Sequence, residues 1–307
     1  IPVNMFLAKA LVLGCALAAI ANGAAVKEIR VPSSYPFATW PLGLDKDRDD
    51  GIGFQIVGGN DAYLGQFPHQ VSMQVTIPGY KPQHLCGGTL IARQWVLTAA
   101  HCAYGVPSSA SRVDVVLGIT NLAARESGVQ RIQVTNMLVH GQYDPNSNGG
   151  VGPYDIAMLK LASAATLSST VKLAQLPLAN AIPSGWSTLS GWGSTSKSRN
   201  RPVYPNQLQT ASLPIVDYST CYKFVGQRSS DNPLADTNLC TGPIDSAGLS
   251  SCSGDSGGPL IQQSGSNAVV IGVVSWGLGD CGSVPFPSVY TRVSAYINWI
   301  QQVLSQY

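Results

Sequence analysis

Apolar and polar residues alternate in short runs along most of the chain, and turns of glycine, proline, asparagine and serine separate the runs. Residues 71–75, Val-Ser-Met-Gln-Val, show the two-residue period of a half-buried strand. Comparable runs predict strands at 89–91, 95–99, 113–117, 132–134, 156–161 and 269–274. They form two sets, the second lying at about residues 185–292, so the sequence predicts an all-β protein.

The last part of the chain has a different period. Apolar residues recur there at the three- and four-residue spacing of a helix. The members of this stripe are Val293, Tyr296, Ile297, Ile300, Val303 and Leu304. The pattern predicts a C-terminal helix that packs against the second set of strands.

Composition narrows the classes of function. The 307 residues include 32 glycines and 20 prolines, as a turn-rich β protein does, but only 11% are charged and the net charge is +2. There is no basic block and no stripe of Lys or Arg with aromatic residues, so nucleic acid is not an expected partner. No stretch after the N-terminal segment is long and apolar enough to span a bilayer, so no membrane partner is expected either.

The N-terminal segment, residues 1–23, is typical of a secretory signal. Lys9 precedes the apolar run 10–20, and small residues follow at 21–23. Met5 is the expected translation start. Because the run is too short to cross a bilayer, we expect a secreted, extracellular protein.

The clearest candidate for chemistry is Ser256, in the sequence Gly-Asp-Ser-Gly-Gly-Pro at 254–259. A serine hydroxyl is a weak nucleophile that needs a neighbouring base, and its attack on a carbonyl needs donors for the oxyanion. The flanking glycines allow a tight turn in which the amides of Gly254 and Ser256 point at one spot. Asp255 needs a cationic partner if it is buried. The alternative is a glycine-rich surface turn with an idle serine.

Four histidines could supply the base. His101 ends an apolar run, 95–102, that closes in small residues and a cysteine, so its ring is expected where a strand leaves the core. His69 lies in a loop, His84 in a polar stretch and His140 at the end of a short apolar run. These three are expected to have ordinary surface or packing roles.

A carboxylate must orient the imidazole and stabilise it when protonated. Asp155 precedes the apolar run 156–161 and is expected to be buried at the mouth of a strand. Asp114 and Asp144 are the competitors, and both are predicted to be solvated. The sequence therefore favours Asp155.

Five motifs resemble those of the chymotrypsin-like (trypsin-fold) secreted serine endopeptidases, in particular their invertebrate digestive members. The motifs are Ile-Val-Gly-Gly at 56–59, Leu-Thr-Ala-Ala-His-Cys at 97–102, Asp-Ile-Ala-Met-Leu at 155–159, the 254–259 sequence and Ser-Trp-Gly at 275–277. The resemblance covers residues 56–307. It implies two six-stranded antiparallel β-barrels with the active site in the cleft between them. It also implies peptide-bond hydrolysis by Ser256, His101 and Asp155, without a metal or cofactor.

The resemblance further implies a zymogen, with residues 24–55 as activation propeptide and residues 56–307 as protease domain. Cleavage before Ile56 would free an ammonium group that inserts beside Asp255 and orders the oxyanion hole and the pocket. The family usually has Arg or Lys before the cut, whereas this chain has Gln55. The identity of the activating protease therefore stays open.

Seven cysteines are present, and Cys15 would be lost with the signal. The resemblance implies three disulfides among the rest, Cys86–Cys102, Cys221–Cys240 and Cys252–Cys281. Zinc binding is the alternative use, although the spacings do not suit it. No cysteine is left to tether the propeptide, and its charged run 45–50 is typical of a solvated linker. We therefore expect the propeptide to leave once it is cut.

Substrate preference depends on the pocket for the side chain before the scissile bond. The resemblance places Ser250 at its floor, where a trypsin-like enzyme has Asp. Gly277 leaves the mouth open and Ser288 lies on the wall, so an uncharged slot for large apolar or aromatic side chains is favoured. An elastase-like or broad preference stays open, and so does a tryptic one through Asp280 near the rim.

The expected partners are protein or peptide substrates, an activating protease and protein inhibitors, and we expect a monomer. Ser275, Trp276 and Gly277 would pair their backbone with the substrate as an added strand. Calcium is not expected, because the loop after 113–117 holds Glu126 as its only acid. A second class is a secreted, non-catalytic homologue that binds other proteins, but such proteins usually lose a triad residue and this chain keeps all three.

Overall fold

The structure is a computed structural model. It describes residues 25–29, 59–124, 126–227, 229, 231–246 and 248–307, and the structural statements below concern these residues only. The predicted signal at 1–23 and the predicted linker run at 45–50 lie outside them. No helix in the described part is long and apolar enough to cross a membrane.

Short strands dominate the described part of the chain. In chain order the strands are β1 (Val26–Ile29), β2 (Asn60–Asp61), β3 (Gln70–Thr76), β4 (Gln83–Ala92), β5 (Trp95–Thr98), β6 (Arg112–Leu117), β7 (Gln130–His140), β8 (Ala157–Leu161), β9 (Trp186–Gly191), β10 (Gln209–Val216), β11 (Asn238–Thr241), β12 (Pro259–Ser264), β13 (Asn267–Gly277) and β14 (Ser288–Arg292). The helices are α1 (Ala100–Tyr104), α2 (Tyr218–Gly226) and α3 (Ile297–Gln306), with 3-10 turns at Ser147–Gly150 and Val293–Tyr296.

The strands form two closed antiparallel β-barrels. The first runs in the order β7-β6-β3-β4-β5-β8, and β8 returns to pair with β7. The second runs in the order β11-β14-β13-β12-β9-β10, and β10 closes it by pairing with β11. Each barrel thus has six strands and carries one extra strand, β1 on β7 and β2 on β10. The predicted fold class, all-β with two six-stranded barrels and a C-terminal helix, is confirmed.

Strand β3 shows how an alternating run becomes a barrel strand. Its apolar positions are buried in the core of the first barrel. Its polar positions are buried too. Each has a hydrogen-bond partner, because Ser72 shares a hydrogen bond with His84 and Gln74 accepts one from Arg131. The sequence predicted a half-buried strand, whereas here both faces are covered. Buried polar side chains are tolerated when each has a partner.

The C-terminal helix α3 begins and ends close to the predicted limits, but its neighbour differs from the prediction. Ile297, Ile300 and Val303 are buried in the core of the first barrel, which also takes in Val270 and Val273 of β13. Trp299 of the helix also packs on His140 of β7. The helix therefore packs mainly on the first barrel, and the predicted second barrel contributes only β13 to the same core. An apolar stripe reveals that a helix face is covered, and it carries no information about which barrel covers it.

Strand β1 was not predicted, because residues 24–55 show no periodic apolar pattern. Val26–Ile29 pairs antiparallel with Met137–His140 of β7. Ile29 is 6% exposed and belongs to the core of the first barrel. Four residues are too few to display a period, so the pattern could not reveal this strand.

Asp114 is a second correction, since it is buried and not solvated. Its carboxylate pairs with Arg112 at 2.7 Å and with Arg131 at 3.5 Å. The two arginines come from β6 itself and from the neighbouring β7, and together they satisfy the buried charge. Asp144 is exposed, as predicted.

The disulfides follow the implied pairing. They are Cys86–Cys102, Cys221–Cys240 and Cys252–Cys281. Because these six sulfur atoms are bonded in pairs, none is available as a thiolate ligand for zinc. The first disulfide joins β4 to α1, and the third joins the loop before Ser256 to the segment after β13.

Candidate active site

Strand pairing in the first barrel brings His101 and Asp155 together. Strands β5 and β8 are antiparallel neighbours, with Thr98 opposite Ala157. His101 follows Thr98 in the chain and Asp155 precedes Ala157, so both lie beyond the same end of the strand pair. His101 belongs to α1, which begins directly after β5. The structure thus brings together the base and the carboxylate that the sequence predicted.

The Asp155 carboxylate is buried and accepts three hydrogen bonds. Its Oδ1 accepts from the backbone N–H of His101 at 2.9 Å, and its Oδ2 lies 2.7 Å from Nδ1 of the same residue. Ser275 Oγ donates to Oδ2 at 2.5 Å, and Thr291 Oγ1 donates to the Asp155 carbonyl at 2.7 Å. Ser275 was predicted only as a substrate contact and Thr291 was not predicted, because contacts between distant strands leave no local pattern.

His101 and Asp155 shift each other's pKa. Burial opposes charge on the His101 ring, but the Asp155 carboxylate and its hydrogen bond outweigh burial and raise the pKa of His101 above its usual 6.5. Burial likewise opposes the Asp155 charge, but His101 and the hydrogen bonds lower the pKa of Asp155 below its usual 3.8. An ionised Asp155 keeps the proton on Nδ1 of His101 and leaves Nε2 free to accept another. The ring is therefore in the form that a general base requires.

Ser256 lies on the opposite side of the cleft, in the loop before β12. Gly254 and Gly257 flank it with φ angles of 97° and 75°, which favour glycine. The backbone N–H of Gly87 donates to the Ser256 carbonyl at 2.8 Å, so the loop is tied to β4 of the first barrel. Ser256 and His101 line one cleft. The described atoms show no hydrogen bond between them, and such bonds often tighten only when substrate is bound.

His84 supports the loop that carries Ser256. Its Nε2 lies 3.0 Å from the Gly254 carbonyl, its Nδ1 lies 2.8 Å from Ser72 Oγ, and its ring packs on Trp192. Burial lowers the pKa of His84 to about 4, so the ring is neutral. A neutral ring can donate from Nε2 and accept at Nδ1. Sequence reasoning missed this contact, because 170 residues separate His84 from Gly254.

Asp255 is completely buried beside the same loop. Its Oδ1 accepts from the N–H of Gly193 at 2.8 Å, and its Oδ2 accepts from the N–H of Cys252 at 2.9 Å. Burial raises the pKa of Asp255 to about 7, although both hydrogen bonds oppose the shift. Within the described ranges no cation pairs with it. Ile56, its predicted partner, lies outside those ranges.

A cavity of about 310 Å³ lies between the barrels. Its walls include the predicted residues His101, Ser256, Ser275, Trp276 and Gly277. Gly254, Ser250 and Ser288 do not line it. Ser250 is buried with a hydroxyl that has no described partner, and Ser288 Oγ accepts from the N–H of Ser251, which does line the cavity. The predicted floor and wall residues thus lie one layer behind the surface.

Arg199 also lines the cavity and was not predicted. Its Nη2 donates to the Gly277 carbonyl at 2.9 Å, and its backbone N–H donates to Asp280 Oδ1 at 3.3 Å. Burial lowers the pKa of Arg199, and Asp280 opposes that shift. Asp280, which the sequence suggested as an attractor for basic side chains, therefore accepts a hydrogen bond from the Arg199 backbone and lies near enough to the guanidinium to raise its pKa.

Comparison with known proteins decides the family. A family model described as Trypsin matches residues 56–300. The Trypsin of Sus scrofa is 37% identical over 259 residues, which cover 84% of this chain and 98% of that protein. This chain belongs to the trypsin family of serine proteases. Among its other relatives, Trypsin-1 of Astacus astacus is 34% identical over 247 residues, covering 80% of this chain and 98% of that one.

Membership of the trypsin family fits the two barrels and the three disulfides of this protease. The family match begins at residue 56. Strand β1 therefore lies outside the matched region, although it pairs with a strand inside it. The matched region contains every residue of the candidate site described above.

Proposed function

We propose that this trypsin-family protein is a secreted serine endopeptidase that acts through a Ser-His-Asp acyl-enzyme mechanism. The observation that carries the proposal is the buried Asp155 carboxylate, bonded to Nδ1 of His101, in a cleft that Ser256 shares. A neutral imidazole with Nδ1 held by a carboxylate is the base that an unactivated serine hydroxyl needs. The relatives named trypsin support a hydrolase acting on protein substrates.

The chemistry begins when Ser256 Oγ attacks the peptide carbonyl while Nε2 of His101 takes its proton. Asp155 stabilises the resulting imidazolium and holds its orientation. The amides of Gly254 and Ser256 stabilise the oxyanion, and His84 fixes the peptide unit that contains the Gly254 carbonyl. His101 then protonates the leaving amine. A water molecule attacks the acyl-enzyme in the same way and regenerates the Ser256 hydroxyl.

The pocket supports a preference for large apolar or aromatic side chains before the scissile bond. Ser250, the predicted floor, carries no charge that could pair with a substrate Arg or Lys. Asp280 is engaged by Arg199, which reduces its pull on a basic substrate. The relatives are named trypsin, so tryptic preference is the main alternative. An elastase-like or broad preference is the other.

We expect turnover of a peptide series to be highest after Phe, Tyr or Leu. Burying such a side chain contributes about 1.5–3 kcal/mol, so Phe should exceed Ala by roughly 10- to 100-fold in kcat/KM. The measurement compares Phe, Leu, Ala, Arg and Lys before the scissile bond, with Ser256→Ala protein as the control for contaminating proteases. Preference for Arg would contradict the assignment of Ser250. Loss of that preference in Asp280→Asn would then identify Asp280 as its source.

The proposal includes synthesis as a zymogen that is activated by cleavage before Ile56. A fully buried Asp255 with a pKa near 7 and no described cationic partner is the acceptor that a new ammonium group would need. Gln55 does not suit a trypsin-type activator. N-terminal sequencing of active enzyme tests this step, and any start other than Ile56 would contradict insertion beside Asp255.

Activity should fall on acidification with a midpoint above pH 6.5. The catalytic form of His101 is neutral, and Asp155 raises the pKa of the ring, so the neutral fraction is lost as pH falls through that raised value. The measurement is kcat/KM from about pH 5 to pH 8, which reports groups of the free enzyme. A flat profile over that range would contradict the assignment of His101 as base. Loss of activity in alkali is expected when the Ile56 ammonium deprotonates.

A further inference from the structure

Residues ahead of the protease domain are built into the first barrel as a strand. Val26–Ile29 pairs in antiparallel register with Met137–His140 of β7. The N–H of Gly141 donates to the Ala25 carbonyl at 2.6 Å, which extends the pairing by one step. Asn136 Nδ2 donates to Glu28 Oε1 at 2.8 Å. The segment is thus held along its whole described length.

Side chains of β1 add to the backbone pairing. Ile29 is 6% exposed and is part of the same apolar core as Met137 and Val139. Val26 packs against that core. The ammonium group of Lys27 lies 5.4 Å from the centroid of the Tyr104 ring, which is within the range of a cation–π contact.

Gly141, directly after β7, leaves room for this segment. A Cβ at Gly141 would lie 2.5 Å from the Ala25 Cβ and 2.7 Å from the Ala25 carbonyl oxygen, and its three nearest atoms all belong to Ala25. Gly141 is exposed and does not have a positive φ. Its backbone therefore has no need of glycine, and the nearest obstacle to a side chain there is the docked segment.

These contacts are independent of the activation cut. All of them lie between residues 25–29 and the first barrel, whereas the proposed cleavage precedes Ile56. The predicted loss of the propeptide assumed that only a cysteine could tether it. Added strands can hold a peptide without a covalent bond, because the backbone supplies hydrogen bonds and a buried side chain anchors the register.

We propose that the cleaved propeptide stays bound as a noncovalent second chain of the active protease, with the edge of β7 at Met137–His140 that faces away from β8 as its docking site. The proposal rests on the proposed function, which supplies the cut. It adds that the propeptide remains part of the mature enzyme after cleavage. The strand lies next to Tyr104, which lines the catalytic cavity, so the retained peptide supports one wall of the cleft.

Retention can be tested apart from activation. The full-length precursor with Ser256→Ala cannot digest itself, and limited trypsin can cut it after Lys46 or Arg48, well outside β1. Lys27 lies in β1 and Arg30 directly follows it, so only the product in which both of these bonds are intact is used. The product is passed through a native size-exclusion column, and mass spectrometry locates the released peptide. We expect the peptide to elute with the protease in equal amounts. Elution of the peptide at its own small size would overturn the proposal. Failure of the natural cut at Ile56 would instead count against the zymogen step alone.

Two variants and a control sharpen the test. Gly141→Ala places a Cβ against Ala25, and Ile29→Ser removes the buried anchor, so each should leave about tenfold less peptide with the protease. The matched control is Gly152→Ala in the same loop, where a Cβ meets no atom within 4 Å. Thermal unfolding of the uncut proteins checks that the barrels are intact. Retention unchanged in both variants would overturn the proposed docking site.

Discussion

Replacing Ser256 with alanine should lower kcat for peptide hydrolysis on the order of 10⁶-fold, the size known for the nucleophile of a serine protease with the same triad. KM should change little, because the cavity walls stay the same. The hydroxyl makes no hydrogen bond within the described part of the structure, and the Ser256 carbonyl keeps its bond from Gly87. The variant should therefore fold and bind substrate normally while the chemical step fails.

The matched control for this substitution is Ser253→Ala. Ser253 lines the same cavity and belongs to the same loop, but it lies just before the motif at 254–259 and not within it. We expect its kcat to stay within about tenfold of the unaltered enzyme, since a serine outside the hydrolytic machinery contributes only to substrate contacts. Active-site titration with an acylating reagent supplies a direct readout. Stable acylation of the Ser256→Ala protein would place the nucleophile elsewhere. Absence of turnover in the unaltered, correctly cleaved enzyme would favour the non-catalytic homologue.

Replacing Asp155 with asparagine should cost about 10⁴ in kcat, the factor known for the same change in another protease of this family. The geometry here explains why the cost is large. Oδ1 accepts from the backbone N–H of His101, so the asparagine oxygen must stay at that position. The new NH₂ group then replaces Oδ2 and faces Nδ1 of His101. A donor at that place forces the ring proton onto Nε2, which can no longer accept from Ser256.

Asp114→Asn is the matched control, because Asp114 is a buried carboxylate of the same barrel that pairs with Arg112 and Arg131. It should lower the unfolding temperature while kcat stays near normal. The pH profile of kcat distinguishes loss of the Asp155 charge beside His101 from a general loss of folding stability. In Asp155→Asn the pKa of His101 should fall relative to the unaltered enzyme, because the carboxylate that raises it is gone. An unchanged kcat in Asp155→Asn would remove Asp155 from the mechanism.

Short sequence patterns predicted most of the barrel strands and the candidate residues for catalysis. Apolar runs predicted most barrel strands, and the motif residues of the first barrel lie together because Thr98 and Ala157 are neighbours in paired strands. The disulfides required the family resemblance, since six cysteines permit many pairings. The prediction of closed barrels also came from the resemblance, because the alternation of apolar and polar residues does not show which strands are neighbours.

Contacts between distant segments escaped prediction. His84 and Arg199 act on carbonyls far along the chain, at Gly254 and Gly277, and their neighbours in sequence show nothing unusual. Asp114 was mistaken for a solvated residue because one of its two arginine partners, Arg131, becomes a neighbour only in the folded barrel. In each case the side chain is stabilised by a residue that is distant in sequence, and a single sequence does not show which distant residues form pairs.

Strand β2 would limit how far a new N-terminus at Ile56 can move in the proposed activation step. Asn60 is fixed by pairing with Thr210 of β10, so a chain freed at Ile56 would have only four residues between its amine and a rigid anchor. Fully extended, four residues span ~14 Å. An amine confined to so small a volume has an effective local concentration on the order of millimolar or more. Insertion would therefore be a unimolecular step of the folded protein, independent of protein concentration. Lengthening the 56–59 segment with glycines should weaken activation without touching the catalytic residues.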